Sequence, residues 1–470
     1  MSSYPDPQAL NSFAFFARSF AARPGCPFSS CLSQERLQKL ADEHHLDFGE
    51  VFTPAVTLWA FLAQCLSPSK SCVSAVARVM VLRISQDQEP CSENTGAYCK
   101  ARAKLPVSFL EQLTHESADT AEAAAPQPWL WKGRSVYLAD GTTASGPDTP
   151  QNQAEFPQSR NQKPGLGFPL IRLVVLLSLA TGMVAAAACG PFIGKGTGET
   201  SLLKAMLSRL RAGAVLVADS YYCVWWLFAE LKQRGVDGVF RLHQSRRADF
   251  SKGKRLGRHD HIVTWDKPAE CPAGMTAEEF AALPPSVEVR EVLVRVSYPG
   301  FRPKALVVAT SLLDPDVYSA EEIAELYFKR WNAELDIRSI KSTMTMDILR
   351  GKTPGMLRRE IWGHLLAYNL IREQMAQAAL AKGLLPRHLS LASALALFNE
   401  FRPLLLLAAS AAVWGVAVST LQGSMANFVV GDRPRRREPR KLKRRPKDCK
   451  LLTEPRQQAR AKLMQGEQED

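Results

Sequence analysis

Tyr327, Arg330, Glu334 and Lys341 follow the spacing Y-x2-R-x3-E-x6-K. On a helix turning about 100° per residue they fall at roughly 0°, −60°, −20° and −40°, and Arg338 joins them at about +20°. All five share one stripe, about 21 Å long at 1.5 Å rise per residue. The carboxylate suits a hard divalent cation, and the cations and phenol suit phosphate oxygens. A plain surface helix laced by Arg330–Glu334 and Glu334–Arg338 pairs would carry the same residues. Two further carboxylates set this stripe apart. Asp140 follows the apolar run Arg134–Ala139, and Asp219 follows Ala214–Ala218. Acids at the ends of neighbouring strands meet at one edge of a sheet, and Glu334 can reach that edge from its helix. Three converging carboxylates repel one another in a partly dry site. Divalent cations relieve that repulsion, and two of them about 3.5–4 Å apart serve in-line phosphodiester chemistry. Asp148 is a rival for the first position, but it sits in a loop between prolines.

The elements that must position these acids can be read along the chain. The first 125 residues read mainly helical, with apolar runs at Phe48–Cys65 and Val73–Ile84 broken only by Pro54. Asn94–Leu105 is a basic helix whose Tyr98, Lys100, Arg102 and Lys104 suit either a DNA contact or a plain solvated face. Ala121–Pro128 reads as a linker. A short strand ending at Asp140-Gly141 then leads into a polar loop, Thr142–Phe168. Leu170–Leu179 and Met183–Cys189, separated by Thr181-Gly182, predict a hairpin. A helix at Glu199–Ala212, a strand at Ala214–Ala218, a helix at Tyr221–Gly235 and a strand at Val239–Leu242 follow. This order predicts a ribonuclease-H-like α/β core. His261–Trp265, Val287–Tyr298 and Ala305–Ser311 predict a β-rich insertion, and Glu321–Met346 the helix carrying the stripe. The expected divisions are 1–125 (helical, DNA-binding), 126–242 (first part of the core), 243–316 (insertion), 317–400 (core helix with Glu334), 401–430 (C-terminal helix) and 431–470 (basic tail).

Composition narrows the partners. The chain has 470 residues and a net charge of +13. Between Arg433 and Lys450 eleven Lys and Arg face two acids, so 11 − 2 gives +9 in that segment alone. Such a patch seeks polyanions, nucleic acid first among them. The ten cysteines are scattered without a C-x-x-C, which fits reduced thiols in a cytoplasmic protein. Cys26, Cys31 and His44 make a poor zinc set, since His45 is adjacent to His44 rather than three to five residues on. Leu404–Val418 is short for a membrane span, and the N-terminus lacks a signal-peptide pattern.

VYLADGTT, VLVADSYY and YFKRWNAELDIRSIK resemble the three catalytic blocks of DDE transposases of bacterial insertion sequences. The last block carries in full the signature of insertion-sequence family four, the hairpin-forming cut-and-paste group. DTPQNQAEFPQ and QKPGLGFP, after the first Asp, also look like that family. The resemblance runs from about Val136 to Tyr368. It implies a transposase acting on double-stranded DNA, both transposon ends and target, as a homodimer in the synaptic complex and near the bacterial nucleoid. Asp140, Asp219 and Glu334 would hold two Mg²⁺ ions, with Mn²⁺ able to substitute. Tyr327, Arg330 and Lys341 would hold phosphates near the cut, with Arg338 beside them. Family members stabilise a flipped base with an aromatic residue of the insertion, and Trp265 is the only Trp there. Trp225, Trp226 and Trp331 read as core residues, and His259 and His261 as phosphate contacts beside Lys254, Arg255 and Arg258. Two other functions remain open: a nuclease of the same fold without transposition, and a non-catalytic DNA-binding repressor.

Overall fold

The computed structural model describes residues 39, 42–45, 48–85, 87–272, 274–296, 304–407, 411–430 and 451–465. The basic segment 433–450 and the pair Cys26 and Cys31 lie outside them.

Among the described residues, nine strands form one sheet in the order β3-β2-β1-β4-β5-β9-β8-β7-β6. They are β1 (Val136–Ser145), β2 (Leu170–Ser178), β3 (Val184–Pro191), β4 (Val215–Ala218), β5 (Asp237–Arg241), β6 (Lys254–Gly257), β7 (Asp260–Asp266), β8 (Ser286–Val296) and β9 (Lys304–Thr310). β1, β4 and β5 run parallel, and β2 and β3 are antiparallel additions on the β1 side. The 3-2-1-4-5 half is the ribonuclease-H-like order expected from the sequence. The insertion strands extend the same sheet, because β9 pairs antiparallel with β5 over Val239–Arg241.

Alternation along β1 explains the layering. Val136 and Leu138 enter one apolar cluster, while Tyr137 and Ala139 enter the cluster on the other face. The first cluster is covered by α1 (Pro54–Leu66), by α4 (Val107–Ala123) and by later helices. Between them, α2 (Cys72–Ile84) and α3 (Gly96–Lys104) pack on α1. α1 starts at Pro54, not at Phe48. Thr53 accepts from the Val56 amide and proline fills the first helical position, which together define a helix start. α4 runs on to Ala123, through the first part of the expected linker.

A short α5 (Pro150–Glu155) sits in the β1–β2 connection. α6 (Glu199–Lys204) and α7 (Trp225–Gln233) are shorter than the sequence suggested. The chain after α6 tightens into a 3₁₀ turn at Leu207–Arg209. A second such turn at Ser220–Tyr222 precedes α7, because Asp219 caps it. α8 (Ala277–Ala281) lies in the insertion. α9 (Ala320–Lys329), opened by a Ser319–Glu322 capping box, leads into α10 (Trp331–Arg338). A π-helical turn, Ser339–Thr343, ends that segment. The regular helix expected over Glu321–Met346 therefore loses its α-helical hydrogen bonding at Arg330, whose backbone stays helical at φ −49° and ψ −36°, and widens into the π turn at Ser339. α11 (Pro354–Ala381) is the long central helix, followed by α12 (Leu391–Leu407), α13 (Ala411–Asn427) and α14 (Arg456–Met464). Among the described residues no helix is long and apolar enough to cross a membrane.

Candidate active site

Asp140 lies within β1, not past its end. The strand continues along β2 to Ser145, but its parallel partner β4 stops early. The last β1–β4 pair is Leu138 with Val217. Two residues further on each chain stand Asp140 and Asp219, so the parallel register brings the two acids level where β4 ends. That is the kind of crevice in which open α/β sheets place ligands. Asp219 is fixed locally, with Oδ1 accepting from the Tyr221 amide at 2.8 Å. Asp140 Oδ1 accepts from the Gly141 amide at 2.8 Å.

Glu334 arrives from α10, and Arg330 lies between it and Asp140. Arg330 Nη2 donates to Glu334 Oε1 at 2.8 Å, and its Nη1 stands 3.9 Å from Asp140 Oδ2. The helix pair allowed for in the sequence is thus present, but the same guanidinium also faces a strand acid. Burial pushes the Asp140 carboxyl up to about 6; repulsion from Asp219 and Glu334 adds to this, against the Gly141 amide and Arg330. The site holds more negative charge than one arginine balances, and its donors are all carboxylate oxygens. That donor set fits a hard divalent cation. As the side chains stand, no trio of His, Cys, Asp or Glu among the described residues is close enough to enclose an ion.

The remaining stripe divides. Tyr327 is buried, and burial raises its phenol while the Arg330 and Arg241 charges pull it down. Arg338 is exposed, and Lys341 is half-buried in the π turn, where helical-wheel angles no longer apply. Asp148 is exposed and accepts from Gln153.

Trp265 does not fit the stacking role expected of it. It is 5% exposed, its Nε1 donates to Glu291 Oε1 at 3.2 Å, and the Phe228 ring meets it edge-on. The Arg246 guanidinium covers its face at 4.0 Å. A base can stack there only if this packing opens. His261 is likewise no phosphate contact, being buried between the Lys252 carbonyl and Glu291. Tyr98 is fully buried and hydrogen-bonds Gln64, as does Arg102, so of the four residues singled out on α3 only Lys100 and Lys104 are exposed. Trp225 is core as expected, but Trp331 is 46% exposed, beside Arg330.

One acid escaped the sequence reading. Glu199, at the start of α6, lies against Gly141 so closely that a Cβ there would sit 2.3 Å from its Cδ. Tyr222 donates to Glu199 Oε2 at 3.2 Å. Burial raises this carboxyl, and Asp219 repels it. A glycine inside a strand signals close approach, and Gly141 was that signal.

The model of the transposase DDE domain matches residues 131–370, just over half of the chain. The chain belongs to that family. Among individual relatives, the transposase InsG of insertion sequence element IS4 from Escherichia coli K12 is 29% identical over 299 residues. The match takes in 63% of this chain and 64% of InsG, so it spans a little under two thirds of that relative. The putative transposase InsL of element IS186A, from the same strain, is 40% identical over 65 residues, 14% of this chain and 18% of InsL. A cryo-EM structure of the piggyBac transposase synaptic complex with hairpin DNA aligns over 92% of this chain and 89% of its own, at 10% identity and a TM-score of 0.42.

Proposed function

We propose that the chain is a DNA transposase, which cleaves double-stranded DNA at the terminal inverted repeats of its element and joins the freed ends to target DNA. The level placement of Asp140 and Asp219 in the parallel register, with Glu334 facing Asp140 across Arg330, is the observation that carries this reading. Asp140, Asp219 and Glu334 would hold two Mg²⁺ ions, replaceable by Mn²⁺. When bound, these ions let an oxygen nucleophile attack phosphorus in line and steady the leaving oxygen.

The chain's own residues do the rest. Arg330 leaves its bridge between Asp140 and Glu334 and turns to a phosphate, while Tyr327 backs it from the buried side. Lys341 and Arg338 extend the grip along the backbone. One acidic site must cut two strands of opposite polarity at each end. The 3′-hydroxyl freed by the first nick attacks the opposite strand and closes a hairpin; water reopens it, and the 3′-hydroxyl then attacks the target. Two copies of the chain, each holding one end, form the working complex. The helices before residue 125 and the basic segment after residue 431 add affinity for DNA, and the insertion 243–316 flanks the end being cut.

End-labelled duplexes carrying the element's own ends test this. With Mg²⁺ they should give nicks, then a product of doubled strand length on a denaturing gel, then joined target. Asp219→Asn should bind the ends and cut nothing. Cleavage without target joining would indicate the nuclease alternative. End binding without cleavage by the wild-type protein would indicate the repressor.

A further inference from the structure

α10, which presents Glu334, is only eight residues long and is interrupted on both sides. The regular α-helical hydrogen bonding lapses at Arg330, although the backbone there stays helical, and it widens to a π turn at Ser339. What packs it onto the rest of the fold is its buried face. That face consists of Ala333, Asp336 and Ile337. Asp336 is its only polar member and is 2% exposed.

Asp336 is clamped by two arginines from outside the helix. Arg372 of α11 donates through Nη2 to Oδ1, and Arg387 donates through Nη1 to Oδ2 at 2.6 Å. Both arginines are tied to the β2–β3 hairpin. Arg387 Nε and Nη2 donate to the Leu179 and Ser178 carbonyls, each at 2.6 Å. Arg372 Nε donates to the Tyr368 hydroxyl at 2.8 Å, which donates to the Gly182 carbonyl at 3.0 Å. Gly182 serves this arrangement twice. Its φ of +76° suits glycine, and a Cβ there would press on the Arg372 guanidinium at 3.0 Å. β2 pairs with β1 along the segment that carries Asp140. The clamp therefore runs from the carboxylate on α10 to the strand layer holding the first acid.

We propose that Asp336, through Arg372 and Arg387, is a positioning residue for Glu334, setting its distance from Asp140 and Asp219. This rests on the function proposed above. A buried ion cluster that served stability alone would be indifferent to what Glu334 does. The two roles separate in the full-length chain with Asp336→Asn, measured well below its melting temperature. Partners that orient ligands from outside a site typically contribute about 10–100-fold in metal affinity, and Mn²⁺ titration of the DNA-free protein by electron paramagnetic resonance should weaken on that scale. In cleavage, kcat should fall while end affinity stays, and Mn²⁺ should restore more activity than Mg²⁺. If Asp336→Asn does not fold, Arg387→Lys keeps the charge but loses the forked donors, and the same shifts are expected from it. Wild-type Mn²⁺ affinity and a wild-type Mn²⁺-to-Mg²⁺ activity ratio in a folded variant would overturn the proposal. A wild-type protein that cuts no DNA would overturn the transposase reading instead, and the Mn²⁺ titration would still judge the clamp.

Discussion

Replacing Gly141 by alanine should be harmful for one reason only. Its φ is not in the left-handed region, and it lies within β1. At such a position alanine would ordinarily stabilise a protein by about 0.4–1 kcal/mol, by restricting the unfolded chain. Here the new methyl would meet Glu199 Cδ at 2.3 Å and the carboxylate oxygens at 2.5 and 2.6 Å. Ordinary contact is about 3.5–4.0 Å, so the carboxylate must retreat by roughly 1 Å or more. It then leaves the hydroxyl of Tyr222, a fully buried residue, without its acceptor. An unpaired buried group costs about 1–3 kcal/mol, and that outweighs the entropic gain. Gly141→Ala should therefore destabilise by about 1–2 kcal/mol, whereas in a Glu199→Ala background it should be neutral or stabilising. Urea denaturation of the four proteins gives the coupling, expected at about 1 kcal/mol or more. Equal costs in both backgrounds would refute the reasoning, since the overlap with Glu199 would then not be what excludes a side chain.

Arg330→Ala should lower cleavage while costing at most about 1–2 kcal/mol of stability; a Gln variant that cuts normally would return Arg330 to an ordinary helix pair. His364 is fully buried beside Lys70, and burial first, then that charge, lowers its imidazole to about 3. The unfolded chain binds this proton near pH 6.5, so stability is complete above that pH. It should fall by about 1.4 kcal/mol per unit as pH drops from 6.5 towards 3, a slope that His364→Gln should remove in urea melts. Ending the chain after Val430 removes the +9 segment; its non-specific DNA affinity should drop and lose salt dependence, and an unchanged slope in binding titrations would mean the segment does not touch phosphate.

The strands, and the place of Asp219 after one of them, were legible where a local rule decided them. Buried runs such as AVLVA have one place to go, and an acid directly after one falls at a sheet edge. Thr181-Gly182 marked its hairpin because only a residue tolerant of positive φ fits there. The failures share a physical cause, which is that tertiary packing overrules a residue's chemical type. Tyr98 and Arg102 look like a DNA-reading pair until Gln64 of α1 accepts a hydrogen bond from each. Trp265 looks available until Phe228, Glu291 and Arg246 enclose it. The wheel that aligned Tyr327 with Lys341 assumed one regular helix, and neither the lapse at Arg330 nor the π turn has a glycine or proline to announce it. Glu199 was missed because closeness to Gly141 is a property of two segments, not of either one.

The joint between β5 and β9 gives the insertion a mechanical character. Val239–Arg241 pair with Val308–Thr310, and the Gly238–Ser311 and Leu242–Val307 backbone hydrogen bonds extend the seam on both sides. An appended module on a linker would swivel; strands sewn into one sheet can only twist with it. Any force on β6 to β8 is thus passed through β9 to the strand that neighbours β4, at whose end Asp219 stands. The sheet acts as a stiff beam, with the insertion at one end and the acids towards the other.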